Sequence, residues 1–282
     1  QGRSPGYFIK PRSLTVDAND FLYVVDMTGR IQKFDSSGQY ILQWQMPELE
    51  RGRPKGMCVD IDGNIVVVEP HYARVNHFTP QGELVRQWGM KGSEEGSLTF
   101  PRAVTKLSDG TLAIGEYQTV ERVQRFSPDG STFIGSTGTR GNQNAQFNRP
   151  EGLVSNSLDQ IYVADSCNHR IQILDADGKW LQTFGSAGTN PGQMSYPYDL
   201  VIDQRDHLFV CEFGNSRIQV FDHQFKTLEI LGGPGDAPGQ FYNPWSIAMD
   251  SKGHLYVADS ANHRVQKLIR RKSVALINQS KE

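Results

Sequence analysis

The chain has 282 residues, of which 37% are hydrophobic, and its formal net charge at pH 7 is −2. This charge argues against a general affinity for nucleic acids, although it leaves a local basic patch possible. The longest apolar runs fall well short of membrane-spanning length, which indicates a soluble protein without membrane insertion. Because the chain begins at Gln1 rather than Met, we expect a trimmed or processed chain, and the sequence does not indicate its compartment.

Residues 1–10 have the character of a connector that precedes a repeated unit. Phe8 stands three positions before a proline, and the equivalent position before later prolines is also apolar, at Leu98, Phe147, Met194 and Phe241. We interpret this position as an apolar plug between neighbouring units. The second unit departs from the pattern, because Arg51 occupies the position there.

Six copies of the repeated unit follow. Each begins with a proline, and the steps between them are 43, 47, 49, 47 and 47 residues: Pro11, Pro54, Pro101, Pro150, Pro197 and Pro244. A period in the forties, with short apolar runs between turn residues, is typical of a β-propeller. We therefore predict an all-β fold, a six-bladed β-propeller with four antiparallel strands per blade.

The fourth copy shows the predicted strands most clearly. They cover residues 152–154, 161–164, 170–174 and 180–184. Asp177-Gly178 provides the hairpin turn before the last strand. The second strand is almost entirely apolar, as expected for a strand that neighbouring blades cover on both faces.

A carboxylate ends the second strand of every copy, and an arginine follows four to six residues later. The carboxylates are Asp26, Glu69, Glu116, Asp165, Glu212 and Asp259, and the arginines are Arg30, Arg74, Arg122, Arg170, Arg217 and Arg264. Each pair lies close enough for a bidentate ion pair within or between blades. Since chemistry needs a residue once and these recur in every copy, we predict a structural role for them.

The end of the chain is expected to complete the last blade. Residues 273–277 could form its outer strand, so that the ring closes by side-chain packing without an N-terminal strand. On this interpretation residues 1–277 form a single domain, which we expect to be monomeric, and residues 278–282 form a tail. The basic triplet 270–272 is interpreted as a solvated turn.

The three cysteines do not form an obvious disulfide framework. A bridge between Cys167 and Cys211 is conceivable because their copies are neighbours, whereas Cys58 lies across the ring. Buried free thiols are the favoured interpretation. The sequence also lacks a C-x-x-C motif and zinc-ligand spacing.

The strings DSCNHRIQIL (165–174), FGNSRIQVFD (213–222) and DSANHRVQKL (259–268) resemble NHL repeats, with Asn-His-Arg standing at 168–170 and 262–264. The resemblance extends from about residue 6 to residue 268, although copies two and three lack Asn-His. It implies a six-bladed propeller whose relatives include protein-binding modules, RNA-binding modules, sensor domains and one zinc lyase. Fold alone therefore does not select the function.

The residue after each proline should line the mouth of the central channel. These residues differ from copy to copy, as a unique ligand site would require: Arg12, Lys55, Arg102, Glu151, Tyr198 and Trp245. Three adjacent cations therefore face an acid and two aromatic rings. The next residues along are mostly small and are expected to leave the channel open: Ser13, Gly56, Ala103, Gly152, Asp199 and Ser246.

These features favour a binding or scaffold module that recognises a protein or peptide, through an anionic segment, at the channel-mouth face. No catalytic residue, cofactor or metal ligand is assigned. One alternative is a metal-dependent hydrolase or lyase that uses Glu151 and Asp199 in the channel. The positions at the channel mouth, however, lack the histidines with which the family's lyase binds zinc and the asparagine with which lactonase-like propellers bind a divalent cation. The other alternative is single-stranded RNA binding by the local basic patch.

Overall fold

The computed structural model describes residues 1–269. Blade one contains β1 (Pro11–Val16), β2 (Leu22–Asp26), β3 (Arg30–Phe34) and β4 (Tyr40–Gln45). Blade two contains β5 (Met57–Val59), β6 (Ile65–Glu69), β7 (Arg74–Phe78) and β8 (Leu84–Trp88). Blade three contains β9 (Pro101–Lys106), β10 (Leu112–Glu116), β11 (Arg122–Phe126) and β12 (Phe133–Thr137).

A short parallel pair, β13 (Thr139–Arg140) and β14 (Gln146–Phe147), lies in the connector before blade four. Blade four contains β15 (Pro150–Ser155), β16 (Ile161–Asp165), β17 (Arg170–Leu174) and β18 (Trp180–Phe184). Blade five contains β19 (Pro197–Ile202), β20 (Leu208–Glu212), β21 (Arg217–Phe221) and β22 (Thr227–Gly232). Blade six contains β23 (Ser246–Met249), β24 (Leu255–Asp259) and β25 (Arg264–Leu268).

Each blade is an antiparallel meander in which consecutive strands are neighbours, so the predicted six-bladed architecture is confirmed. The fourth strand predicted for blade six, at residues 273–277, lies outside the described residues. The domain end at residue 277 and the basic triplet 270–272 lie outside them as well. Two single-turn 3₁₀ helices, Pro70–Tyr72 and Ser166–Asn168, follow β6 and β16. Within residues 1–269 no helix combines the length and the apolar character that crossing a membrane requires.

The hydrophobic core lies between the blades. Six clusters of buried side chains are present, and each joins the facing sheets of two neighbouring blades, including blades six and one. The second strand of every blade is buried along its whole length. This explains its nearly unbroken apolar sequence, because a strand between two layers has no polar face.

The ring closes through contacts between blades six and one. The backbone N–H of Leu14 donates to Ser246 Oγ at 3.0 Å, and Ser260 Oγ donates to the carbonyl of Pro11 at 2.5 Å. Residues 1–10 pack on blade one and add no strand to the sheet of blade six within the described part of the chain. The predicted closure without an N-terminal strand therefore agrees with the arrangement of residues 1–269.

The repeated carboxylate and arginine pair within each blade, at nitrogen–oxygen distances from 2.5 to 3.3 Å. The expected bidentate geometry is wrong, since one arginine nitrogen contacts the repeat carboxylate in each pair. Terminal arginine nitrogens bind backbone carbonyls instead, except in blade two, where Arg74 Nη1 pairs with the side chain of Glu48. Arg170 is typical: its Nε contacts Asp165, and its terminal nitrogens donate to the carbonyls of Asn142, Gln143 and Gln146. The pair thus anchors the long connector that leads into the blade.

The apolar plug is confirmed at Phe8, Leu98, Phe147, Met194 and Phe241, all of which are buried. In blade two the plug position predicted from the sequence was wrong. Arg51 is exposed, and Met46 occupies the core position beside Ile31 and Val67. The connector before blade two is shorter than the others. Its apolar residue, Met46, stands eight positions before Pro54 instead of three.

The three cysteines are free thiols, and the conceivable Cys167–Cys211 bridge is not formed. Burial raises the pKa of the Cys211 thiol well above its usual value. A thiol with a raised pKa is a poor nucleophile, so Cys211 is a packing residue.

Candidate binding site at the channel mouth

The six inner strands, β1, β5, β9, β15, β19 and β23, surround a central channel, and each contacts the next around the ring. A cavity of about 190 Å³ occupies this channel. The six residues predicted from their position after the prolines all line it: Arg12, Lys55, Arg102, Glu151, Tyr198 and Trp245. The structure therefore brings the whole predicted set into one site.

A β-bulge presents these side chains to the channel. In blade four, Pro150 pairs with Asp165 and Gly152 pairs with Ala164, so Glu151 has no partner on the second strand. The equivalent register shift leaves Arg12, Arg102 and Tyr198 unpaired in their own blades. A bulge re-aims the side chain of its extra residue, which here turns towards the channel.

Lys55 extends from blade two to the opposite side of the channel. Its Nζ lies 4.3 Å from the ring centroid of Trp245 and 5.3 Å from that of Tyr198. It also lies 3.8 Å from Glu151 Oε2, a separation too long for a hydrogen bond. The Lys55 side chain is only 5% exposed, and its ammonium has no hydrogen-bond partner among the described residues.

The three cations predicted to lie along one arc are not equivalent. Arg102 Nε pairs with Glu151, and Arg102 Nη1 donates to the hydroxyl of Tyr117 at 3.1 Å. Glu151 is further paired with Arg149 at 2.5 Å. Arg12 instead lies over Trp245, at 5.1 Å from the ring centroid, and its buried Nε has no hydrogen-bond partner in residues 1–269. Arg102 is thus neutralised, whereas Arg12 and Lys55 keep unused donors.

The pKa shifts follow from this arrangement. Burial lowers the pKa of Lys55 well below its usual value; Arg102 and Arg12 add to the shift, whereas Glu151 and Asp199 act to raise the pKa. Burial also lowers the pKa of Arg12 to about 10, with Arg102 contributing to the shift. For Glu151, burial acts to raise the pKa, but Arg102, Lys55 and Arg149 outweigh it and hold that pKa below its usual value.

The positive potential extends beyond the channel wall. His71, on the loop after β6, has a lowered pKa because of partial burial and because Arg12, Arg102 and Lys91 disfavour its protonated form. Three guanidinium groups and one amine at the mouth (Arg12, Arg102, Arg149 and Lys55) face two carboxylates (Glu151 and Asp199). The site therefore carries a local excess of positive charge although the whole chain is slightly acidic.

Sequence reasoning missed two residues of this site. Arg149 immediately precedes Pro150 and pairs with Glu151, and Tyr117 lies beneath the guanidinium groups of Arg102 and Arg149 at 4.8 and 5.6 Å. Arg149 could have been predicted from the sequence, because it stands only two positions before Glu151, which was already assigned to the mouth. Tyr117 carries no such signal, since it lies in a loop of a degenerate copy.

The cavity in the channel agrees with the expectation that the small residues beside the six leave it open, and the two glycines among them have a packing role as well. A Cβ atom on Gly152 would lie 2.7 Å from both Tyr198 O and Asp199 Cα, and one on Gly56 would lie 2.6 Å from Arg102 O. These glycines therefore permit the inner strands of neighbouring blades to approach each other. The width of the channel depends on that approach.

The carboxylates of the channel are already engaged. Asp199 accepts hydrogen bonds from Ser246 Oγ and from the backbone N–H groups of Ile247 and Leu200, and burial raises its pKa to about 6. Glu151 is surrounded by cations. Across residues 1–269, no group of three or more His, Cys, Asp or Glu side chains is placed to hold a metal ion. A cation beside Glu151 would also have to displace Lys55, which disfavours the metal-dependent alternative.

The aromatic rings are partly covered, which bears on the RNA alternative. Tyr198 is stacked on Phe213 at 4.5 Å and is 9% exposed. Trp245 has Arg12 and Lys55 against its ring. Free ring faces are what base stacking requires, so this arrangement favours a small anionic group over a stacked base.

Comparison with known proteins identifies the repeated unit. The sequence model described as NHL repeat matches three segments, residues 147–174, 194–221 and 241–268, which cover the core of blades four to six. The chain is therefore a six-bladed β-propeller that contains NHL repeats. The carboxylate–arginine pairs of this NHL propeller lie in the matched segments and recur in the three blades that the sequence model does not match.

Two curated proteins are similar over part of the NHL propeller. NHL repeat-containing protein 3 of Mus musculus is 29% identical over 181 residues, which are 58% of this chain and 51% of that protein. Protein brain tumor of Drosophila melanogaster is 23% identical over 133 residues, which are 47% of this chain and 12% of that protein. The chain thus spans about half or less of the length of these relatives.

Among solved structures, a gluconolactonase of Xanthomonas campestris has a TM-score of 0.67 to the NHL propeller at 17% sequence identity. The match covers 90% of this chain and 84% of that one. At this level of identity the likeness shows the shared propeller fold and leaves the function open.

Proposed function

We propose that this NHL propeller is a binding module that recognises an anionic segment of a protein or peptide at the channel mouth. The observation that carries the proposal is the pair of unused donors there. Lys55 Nζ and Arg12 Nε are both buried, and neither has a hydrogen-bond partner among the described residues. Leaving such donors unpaired is costly, and a bound anion would satisfy them.

The surroundings support the same conclusion. Trp245 and Tyr198 offer apolar surface beside the cations, and aromatic and arginine side chains are typical of binding hot spots. The inner strands hold these groups on a rigid scaffold. A preorganised site loses little conformational entropy when it binds.

The proposal is tested with the isolated chain and a pool of random N-acetyl octapeptides. Peptides retained by the immobilised propeller should be enriched in acidic groups. Arg12→Glu should lower their retention by at least about tenfold, which corresponds to the loss of one charge-assisted contact. Arg205→Glu is the matched control. Arg205 is exposed in the turn between β19 and β20, which lies at the other end of β19 from Tyr198.

Melting curves of both variants should overlay that of the parent protein. Equal retention by Arg12→Glu and Arg205→Glu would place the binding surface elsewhere. Retention of basic or neutral peptides without acidic groups would contradict the anionic character of the ligand.

A further inference from the structure

Beyond the charged groups, the channel wall carries apolar side chains beside polar ones such as Thr15 and Thr105. One residue of each blade, three positions after its proline, contributes to this wall, and all six are buried: Leu14, Met57, Val104, Leu153, Leu200 and Ile247. The cavity of about 190 Å³ is smaller than the roughly 300–1,000 Å³ of pockets that hold drug-sized ligands. It has room for one side chain of moderate size and does not have room for a looped segment.

The charged residues therefore precede this ring of apolar side chains along the inner strands. Arg12 and Lys55 come immediately after their prolines, and Leu14 and Met57 lie two residues further along the same strands. A polypeptide that enters end-on would place its terminal carboxylate against Arg12 and Lys55 and its last side chain against the apolar wall. An internal segment whose backbone entered the cavity would have to fit two passages of backbone into the same space.

We propose that the group bound at the mouth is the C-terminal carboxylate of a protein or peptide, and that Lys55 takes up a proton when this carboxylate binds. This inference rests on the proposed function and specifies its ligand. The proton comes from solvent and adds to the amine nitrogen, and no covalent bond to the ligand forms or breaks.

The groups that face Lys55 explain the proton uptake. They come from the other inner strands and the loops that lead into them: Arg12, Arg102, Glu151, Tyr198, Asp199 and Trp245. The nearest carboxylate, Glu151, is shared with Arg102 and Arg149, so it compensates the charge of Lys55 only in part.

In the free protein, burial and the two arginines lower the pKa of Lys55, and Glu151 at 3.8 Å offsets this shift only in part. A carboxylate that accepts a hydrogen bond from Nζ adds negative charge at short range and raises that pKa again. Binding should therefore weaken as pH rises, because more of the free protein must then be protonated for the complex to form.

The first experiment compares two pools of N-acetyl tetrapeptides that differ only at the C-terminus, one as free acids and one as amides. The propeller should retain the free acids at least about tenfold better, in keeping with a charged hydrogen bond at the terminus. Equal retention of acidic peptides from both pools would overturn the terminal-carboxylate inference and leave the proposed function intact. Retention of neither pool would overturn both.

The second experiment measures proton uptake by titrating the best free-acid peptide calorimetrically in buffers with different ionisation enthalpies. Between pH 7 and pH 9 the parent protein should show net proton uptake, which rises with pH towards about one proton per peptide. Lys55→Arg keeps the charge permanently and should bind with little uptake, whereas Lys55→Met should bind at least about tenfold more weakly.

Binding by the parent protein without proton uptake would overturn the role of Lys55. Proton uptake that persists in Lys55→Arg would assign the proton to another group, and the proposed role of Lys55 would be overturned in that case as well. Melting curves establish that the variants compared are folded, and Lys55→Arg provides the readout if Lys55→Met does not fold.

Discussion

The imidazole Nδ1 of His263 accepts the backbone N–H of Lys10 at 3.1 Å and so joins blade six to blade one. The residue before the repeat arginine makes the same kind of link elsewhere. His169 accepts from Tyr196, Ser216 from Asn243 and Glu121 from Arg149, at distances from 2.7 to 3.2 Å. In each case the donor is the residue before the next blade's proline. The histidine of the Asn-His-Arg motif is therefore a blade-to-blade contact.

We expect His263→Ala to lower the free energy of unfolding by about 1 kcal/mol, the usual contribution of one hydrogen bond. The reason is that the N–H of Lys10 loses its acceptor at the point where the ring closes. Urea unfolding at pH 7.5 measures the change. His223→Ala is the control, since His223 is exposed on blade five and its replacement should have little effect. Equal losses for both variants would contradict the link.

The same hydrogen bond should depend on pH. Partial burial, together with the charge of Lys10, lowers the pKa of His263. Only the neutral ring can accept from Lys10, so the unfolded chain binds the proton more readily than the folded one. The contribution is fully present above the unfolded value of about 6.5 and is lost as pH falls through the folded pKa. The stability difference between the parent protein and His263→Ala should shrink between pH 7.5 and pH 5, and a constant difference would exclude this linkage.

Replacing Asp165 by alanine should lower the free energy of unfolding by about 1–3 kcal/mol, because it strands buried donors. Asp165 accepts from the backbone of Asn148 and from the side chains of Asn168, Arg170 and Gln172. Chemical denaturation of Asp165→Ala and Arg170→Ala measures the effect. Asp177→Ala is the control, as its side chain is 97% exposed. Peptide retention by the folded variants should be unchanged, and its loss at an unchanged melting temperature would make the pair functional.

Gly152→Ala should destabilise the propeller by about 1–3 kcal/mol, because overpacking forces neighbouring backbone to move. The added Cβ would meet the inner strand of blade five at 2.7 Å. Gly115→Ala is the matched control, since its Cβ would lie 3.4 Å from its nearest neighbour, Pro150 O. Thermal unfolding of the two variants should separate them, and a neutral Gly152→Ala would mean that the inner strands can spread without cost.

Met46→Ala should cost about 2–5 kcal/mol, as expected when a buried methionine is truncated. Arg51→Ala should change stability by less than about 0.5 kcal/mol, because Arg51 is exposed. Denaturant titrations of both variants distinguish the plug seen in the structure from the one that sequence spacing predicted. A large loss at Arg51 with none at Met46 would reverse the assignment.

The repeat made the fold and the members of the site readable from the sequence. The prolines, carboxylates and arginines recur because each blade must satisfy the same backbone and burial requirements, so their spacing predicts six equivalent units. The variable residue after each proline then identified six of the side chains that line the channel, but not Arg149 and Tyr117 beside them. The exception at Arg51 arose because a shortened connector changes the distance between the plug and the proline, and position counting assumes a constant distance.

Tertiary structure alone decided how the charges are distributed at the mouth. Sequence placed Arg12, Lys55 and Arg102 in one arc, but side-chain length and direction determine their partners. Arg102 turns to Glu151, whereas Lys55 crosses the channel to Trp245 without a hydrogen bond. These contacts join residues about 50 to 190 positions apart, and they exist only because a closed ring brings the starts of its inner strands together. Local pattern specifies each blade, and closure of the ring determines which donors remain free for a ligand.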